Sequence, residues 1–433
     1  IRSMVNGQRL QYSKVVLIAL SQFLTFRGIS SITSHPTMAS SSARARMLRI
    51  VENGQKWGVK HFNNKQRASP LSQLYPPELP IQLSDYESAR KHLASWEDFR
   101  ASPLRSVPQL AENLGVKSLM VKDETERLGV GSFKALGGGL VVSELKESIG
   151  SGTLTIATAS AGNHGIGVAW GCQRAGCQAV VYLHQGVSES AADKIRSFGA
   201  EVRRVKGGYE DSVLACQTES DANGWQVVQD VDSPGYVDVP RRIFEGYSVL
   251  AGEIVDQLAE QKQQLPTHVL VNAGVGGLAA GVCAHLWARY GEARPRFITC
   301  EPIAADCLLQ SARAESMVTV SSEPTTVQVG LDCRTPAPLA WSILSKGVND
   351  FVAVPDTAIY PTMALLEMAT TEGEGKILEA GESAVAGLAT VVAAASQPEL
   401  REALGIDEQS RVLTIVCEAP PDRERFMDVI KDF

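Results

Sequence analysis

From about residue 80 onward the chain alternates short apolar runs with stretches of helical periodicity, and that alternation restricts its fold more than any other feature. The runs SLMVKDE (118–124), TLTIATAS (153–160), QAVVYLH (178–184), EVRRVKG (201–207) and WQVVQD (225–230) read as strands. GIGVAWGCQRAG, SAADKIRSFGA and EDSVLACQTESDANG lie between the last four and read as helices, so 153–230 predicts a βαβαβαβ block. A second set follows: helix 241–261, strand THVLVNAG (267–274), a helix from Leu278 to about Tyr290, strand RFITCEP (296–302) and a last strand RVLTIVCE (411–418). Strands joined through helices must run parallel, because a crossover returns the chain to the same end of the sheet. The prediction is an α/β protein of two domains, each a twisted, mostly parallel sheet flanked by helices, sharing a cleft.

Length agrees, since 433 residues exceed what one compact core usually organises. The net charge of −7 argues against a nucleic-acid partner, which normally meets a basic face. A small-molecule ligand is expected instead. The eight cysteines show no CxxC pair and no zinc spacing, which predicts reduced thiols and an intracellular, most simply cytoplasmic, location. Residues 1–50 differ: no acid precedes Glu52, and arginines are interspersed with serines. This composition suits a disordered extension or a mitochondrial address, and the apolar stretch 15–26 leaves a secretory signal open while being too short to span a bilayer. No membrane partner is expected.

Three segments fall where open α/β sheets place ligands, at strand ends and helix starts. In GVGSFKALGG (129–138), Lys134 stands among apolar and small residues. Desolvation disfavours an ammonium, so burial predicts a neutral, nucleophilic amine, unless the side chain snorkels to water. In SAGNHGIGVAW (160–170), the N–H groups of a helix start, with the Ser160 hydroxyl, make a carboxylate-sized anion site; plain turn chemistry at Asn163 and His164 is the bland reading. NAGVGGLAAG (272–281) suits a phosphate cradle, but Gly274, Gly276 and Ala279 also satisfy a relaxed dinucleotide fingerprint, with Glu301 as its ribose acid. The combination separates these readings. One amine for an aldehyde, one phosphate cradle and one carboxylate loop are what a pyridoxal-phosphate enzyme needs. His268, His285, Trp170 and Trp225 read as structural residues.

With SFKALGG, AGNHGIGVAW, GWQVVQDVDSPGYVDVP, EGYSVLAGE, THVLVNAGVGGLAAGV and AGESAVAG in one order, residues 75–420 resemble the fold type II, tryptophan-synthase-β-like pyridoxal-phosphate enzymes, and among them the diaminopropionate ammonia-lyases. The resemblance implies a cofactor held by Lys134, which then serves as base at the substrate α-carbon. It implies that Ser160, Ala161, Gly162 and His164 surround the substrate carboxylate and that Asn163 reaches the cofactor's phenolic oxygen. Gly274, Val275, Gly276, Gly277 and Leu278 would cradle the phosphate, Cys417 would face the pyridine nitrogen, and Glu382 and Ser383 would line the site. The ammonia-lyase loop carries an aspartate where this chain has Ala161, in the manner of serine and threonine dehydratases, while the second acid of that site is matched by Asp230. An α,β-elimination of ammonia or water from a small amino acid such as 2,3-diaminopropionate is implied. A dehydratase or β-replacement enzyme and a non-catalytic cofactor-binding protein are the alternatives. A large domain of 51–141 and 267–433, a small domain of 142–266 inserted in it, and a homodimer complete the expectation.

Overall fold

The computed structural model describes residues 38–65, 74–160, 162–321, 323–371 and 377–433, with side chains from Ala43 onward. Eleven strands appear among them: β1 (Lys60–Asn63), β2 (Leu104–Ser106), β3 (Ser118–Asp123), β4 (Thr155–Ala159), β5 (Gln178–His184), β6 (Glu201–Val205), β7 (Gln226–Val227), β8 (His268–Asn272), β9 (Arg296–Pro302), β10 (Asp350–Val354) and β11 (Arg411–Val416). They form a seven-stranded sheet in the order β1-β10-β9-β8-β11-β3-β2 and a four-stranded sheet in the order β6-β5-β4-β7. The smaller sheet is wholly parallel, whereas the larger carries an antiparallel strand at each edge, β1 on β10 and β2 on β3. Edges this short, four and three residues, offer little unpaired backbone to a second chain.

The central strands β8 and β10 are buried at every position. Both faces of a parallel sheet are covered by helices, so such strands are continuous apolar runs rather than alternating ones. This explains why DFVAV (350–354), flanked by helices, gives no alternation by which to be recognised. Ala43–Phe433 forms one compact unit. The helix Met38–Asn53 places Met47 and Ile50 in the core, so the boundary expected at residue 50 moves towards the N-terminus. The part of the expected extension before residue 38 lies outside the described residues.

One strand is shorter than expected for an instructive reason. WQVVQD was read as six strand residues, yet only Gln226 and Val227 pair as β7. Val228 N–H still donates to Ala157 O (2.9 Å), after which the Gln229 side chain takes over the ladder's role. Its Oε1 accepts from Ala159 N–H (3.1 Å) and the Thr158 hydroxyl (2.8 Å), and its Nε2 donates to Ala159 O (2.9 Å). The backbone is thereby released from the sheet one residue before Asp230.

Candidate active site

Lys134 is delivered by a turn after β3 that is tied to the end of β11. Ser132 and Glu418 form an antiparallel bridge, Phe133 N–H donates to Cys417 O (3.2 Å), and Ala419 N–H donates to Gly131 O (2.9 Å). Beyond the lysine, Ala135–Gly139 form a single wide π-helical turn, a local irregularity common at functional sites. Its small residues let two helices close in. A Cβ on Gly167 of the helix Asn163–Ala175 would come within 2.9 Å of the Lys134 carbonyl, and one on Gly137 would meet Ile243 and Tyr247 of the helix Asp238–Glu260. Lys134 is therefore fixed at its backbone from two sides.

Its side chain neither snorkels nor stands neutral. Lys134 Nζ is ion-paired with Asp230, which the Gln229 detour turns inward. Burial by itself would lower the lysine, but Asp230, followed by Tyr247, outweighs it and holds the pKa well above the ordinary range. The sequence reading of a buried amine that sheds its proton is corrected here: a carboxylate supplied from 96 residues away keeps it charged. Asp230 shows the reverse balance, with burial opposed by His164 and Lys134, and is pulled down to about 2. His164 Nε2 lies 2.9 Å from Val228 O and so carries the proton. Its Nδ1 lies 3.5 Å from Asp230 Oδ2 without a well-formed hydrogen bond, and burial keeps the ring neutral.

The expected carboxylate loop is a helix entry in which Gly162 has φ +151°, a conformation glycine adopts at no steric cost. Ser160 Oγ accepts from Gly162 N–H and Gly165 N–H, both at 2.9 Å. Two of the N–H groups expected to bind an anion are thus taken by the serine, whose own hydroxyl proton is left to donate. Ala161 lies outside the described residues. The Asn163 side-chain amide donates to Glu418. Glu418 also accepts from Ser383 N–H (3.1 Å), and burial raises its pKa.

The glycine run opens the helix Gly277–Tyr290, whose first turn leaves backbone N–H groups without intrahelical partners. Gly276 has φ +100°, and a Cβ there would meet Leu344 at 2.8 Å; a Cβ on Gly277 would strike the Phe244 ring. A Cβ on Gly274 would meet Cys333 Sγ at 2.9 Å, and Cys333 also feels Lys134 and Asp230, which joins this run to the lysine site. Val275 and Leu278 lie within the same run, packed against the core. The dinucleotide alternative loses its acid here: Glu301 is fully buried and its oxygens accept Leu308 N–H (2.7 Å) and Leu309 N–H (2.8 Å). Cys417 Sγ lies 3.5 Å from both Asn272 Nδ2 and Ser383 O, and burial raises its pKa, so the thiol is neutral. The side chain of Glu382 lies 3.7 Å from Arg425.

Comparison with known proteins decides the family. The profile described as pyridoxal-phosphate dependent enzyme matches residues 96–418. The chain belongs to the pyridoxal-phosphate-dependent enzymes. It is 34% identical over 391 residues to diaminopropionate ammonia-lyase of Escherichia coli K12, covering 86% of this chain and 94% of that one. The diaminopropionate ammonia-lyase of Salmonella typhimurium is 31% identical over 360 residues, covering 77% and 88%. The crystal structure of the Escherichia coli enzyme in complex with an aminoacrylate–PLP azomethine reaction intermediate superposes with a TM-score of 0.80 at 32% identity, over 87% of this chain and 97% of that one. The fold is the expected type II α/β fold, and pyridoxal phosphate is the cofactor.

The donor set fits that cofactor: an amine at Lys134, a helix start cleared of Cβ atoms, and a neutral thiol. Among the described residues, no group of three or more histidine, cysteine or acidic side chains is arranged to hold a metal, and no helix is long and apolar enough to cross a membrane. Sequence reasoning missed Tyr247, Phe133, Cys333 and Glu418. Phe133 and Glu418 adjoin residues that were singled out. Tyr247 lies inside the quoted EGYSVLAGE, three residues from Phe244, and no local pattern marks it.

Proposed function

We propose that the protein is an amino-acid lyase that eliminates ammonia from a small β-substituted amino acid of the 2,3-diaminopropionate type, releasing a 2-oxo acid and ammonia. The observation that carries this reading is the Lys134–Asp230 pair beside a glycine-cleared helix start. Its relatives support it, since a solved structure of the Escherichia coli ammonia-lyase contains D-serine and another contains the intermediate named above.

Lys134 would hold the cofactor's aldehyde, the run Gly274–Leu278 its phosphate, and Asn163 its phenolic oxygen, with Cys417 facing its ring nitrogen. Asn163 must exchange Glu418 for the cofactor to do so. When bound, the cofactor supplies an aldehyde that condenses with amines and a ring that takes up the electron pair left by a departing α-proton. Lys134 Nζ, freed of the cofactor, receives that proton. Asp230, ionised to low pH, stabilises the resulting ammonium and is available to a substrate ammonium. Ser160, Gly162 and His164, with Ala161 beside them, orient the substrate carboxylate. His164 does so as a neutral ring, which removes one positive charge from competition with the substrate amine. A neutral thiol at Cys417 donates no full charge to the ring, which favours loss of a β-substituent over transamination.

The reading includes an inserted domain of 142–266, supported by the separate four-stranded sheet inside it, a homodimer, supported by the family resemblance, and an intracellular location, supported by eight unpaired cysteines. Release of 2-oxo acid from L- and D-serine, L-threonine and L- and D-2,3-diaminopropionate tests the activity. The diamino substrate is expected to be fastest, and no release from any of them contradicts the reading. Sedimentation tests the dimer.

A further inference from the structure

Two residues beyond Asp230 stands a second buried acid, Asp232. Both of its oxygens accept from the N–H of Leu339 (3.2 and 3.1 Å), which lies 107 residues further along the chain. Leu339 is the second residue of the helix Pro338–Gly347. Its N–H is the first that this helix leaves without an intrahelical partner, because Pro338 has none to offer. The flanking Ala337 carries no side-chain oxygen to serve as a cap. Asp232 therefore caps a helix to which it does not belong. Among the described residues no cation is paired with it, and its charge faces the positive end of that helix.

The same helix start touches the glycine run. Ala337 N–H donates to Val275 O (3.0 Å), and a Cβ on Gly276 would meet Leu344 at 2.8 Å and Ala340 at 3.1 Å, both in this helix. The segment around Asp230 is closed from its own side as well. The Tyr236 hydroxyl accepts from Gln229 N–H (2.8 Å) and donates to Val227 O (3.0 Å), and Ser233 and Tyr236 exchange backbone hydrogen bonds (3.1 and 2.9 Å). Residues 227–236 thus form a loop stapled to β7 by Tyr236 and to the helix beside the glycine run by Asp232. Asp230 sits between the two staples, one residue from Asp232 across Val231.

We propose that Asp232 is a positioning residue: by capping the helix Pro338–Gly347 it holds the Asp230 carboxylate in the site and fixes its place relative to the glycine run. The inference rests on the proposed function, in which the run holds the cofactor's phosphate and Asp230 meets a substrate ammonium. An acid that receives the substrate must be in register with the place where the cofactor is anchored. The cap supplies that register within one turn, since Leu339 N–H reaches Asp232 and Ala337 N–H reaches Val275. Neither group of the cap is one that cofactor or substrate is proposed to take, so it persists in every state of the site. Asparagine at 232 keeps an oxygen at the same reach, whereas alanine leaves the Leu339 N–H without an acceptor and frees one end of the loop.

The test uses the protein with its cofactor bound and compares Asp232→Ala, Asp232→Asn, Asp230→Asn and the double variant Asp230→Asn/Asp232→Ala. Two quantities are read: amide hydrogen exchange in the peptides covering 228–232 and 337–341, and kcat for 2-oxo acid release from 2,3-diaminopropionate. Asp232→Ala is expected to speed exchange in both peptides by about tenfold and to lower kcat by about tenfold, part of what a misplaced reacting group costs. Asp232→Asn should keep both within about twofold of the wild type, as asparagine and aspartate cap comparably well. In the Asp230→Asn background the alanine should cost nothing further in kcat, because a residue that acts only through Asp230 has nothing left to position. Unchanged exchange in Asp232→Ala overturns the proposal, as does a kcat loss that persists undiminished beside Asp230→Asn or that asparagine does not rescue. So does an Asp232→Ala chain that fails to fold, since loss of one cap is too small an effect to unfold a protein and Asp232 would then belong to the core. A wild type that releases no 2-oxo acid overturns instead the function on which the proposal rests, while exchange still decides whether Asp232 holds the Asp230 segment.

Discussion

Lys122 and Lys134 stand twelve positions apart, the first fully buried and the second partly exposed, and they are held in opposite ways. Lys122 is fully buried on β3 and donates to Ser102 O (2.8 Å), Glu253 (2.7 Å) and Gln257 (2.9 Å). Beside it, Arg127 forks onto Glu124 (both contacts 2.8 Å) and onto Glu253 (2.8 and 2.6 Å), completing a closed network of two cations and two carboxylates. All three donor positions of Lys122 are taken. Lys134 has one carboxylate, Asp230, and two aromatic rings, Phe133 and Tyr247. The first arrangement cannot open without stranding charge in the core. The second can open by parting from a single carboxylate, which suits an amine proposed to bond to a cofactor and be released from it.

Exchanging the two lysines for alanine breaks the comparison most sharply. Lys134→Ala is expected to lose about 10⁴-fold in turnover, the upper end for removal of a proton acceptor, while remaining folded. Lys122→Ala is expected to lose about 3–5 kcal/mol of stability, because it leaves the Glu253–Glu124 side short of one cation, with turnover per folded molecule retained. Parallel denaturant titrations and steady-state rates check both. Loss of activity without loss of stability in Lys122→Ala would contradict the structural role of that network.

Asp230→Asn is the next largest effect, at about 10²-fold in turnover, together with a change in acid stability. An aspartate at about 2 in the folded state and about 3.9 in the unfolded chain contributes stability above pH 4. That contribution, about 2–3 kcal/mol, is lost as pH falls through the folded value. Stability measured from pH 5 to pH 2 should therefore fall more steeply in the wild type than in Asp230→Asn. The Lys122 network carries no asparagine substitution in this comparison and serves as the unchanged background.

These two regions also show what a sequence reveals about itself. Strand–helix alternation located β3, β4, β5, β6, β8, β9 and β11, because buried parallel strands and amphipathic helices differ in period. It did not locate β1 or β2, whose three or four residues carry no period, nor β10. The order of Lys134, the Ser160 loop and the Gly274 run was legible because each is a local motif. The ionisation of Lys134 was not, since it depends on Asp230, which is brought in by a glutamine side chain imitating backbone. Lys122, Glu124 and Glu253 fell within the expected strand and helix segments and Arg127 in none of them, yet their mutual neutralisation is a property of the packed core alone.

Smaller effects sharpen the picture at the other positions proposed to hold the cofactor. Gly276→Ala introduces a Cβ at φ +100° within 2.8 Å of Leu344, and a cost of about 1–3 kcal/mol is expected, read as weaker pyridoxal phosphate binding and a lower thermal midpoint. Cys417→Ser keeps a neutral group of similar size and should alter kcat by no more than a few-fold, below one factor of ten or about 1.4 kcal/mol. A large loss in Cys417→Ser would show that sulfur itself matters.

The most direct test of the central claim is borohydride reduction of the purified protein with pyridoxal phosphate, followed by digestion and mass mapping. The predicted result is a single phosphopyridoxyl adduct on the peptide containing Lys134, absent in Lys134→Ala. An adduct at another lysine, or none, would contradict the account.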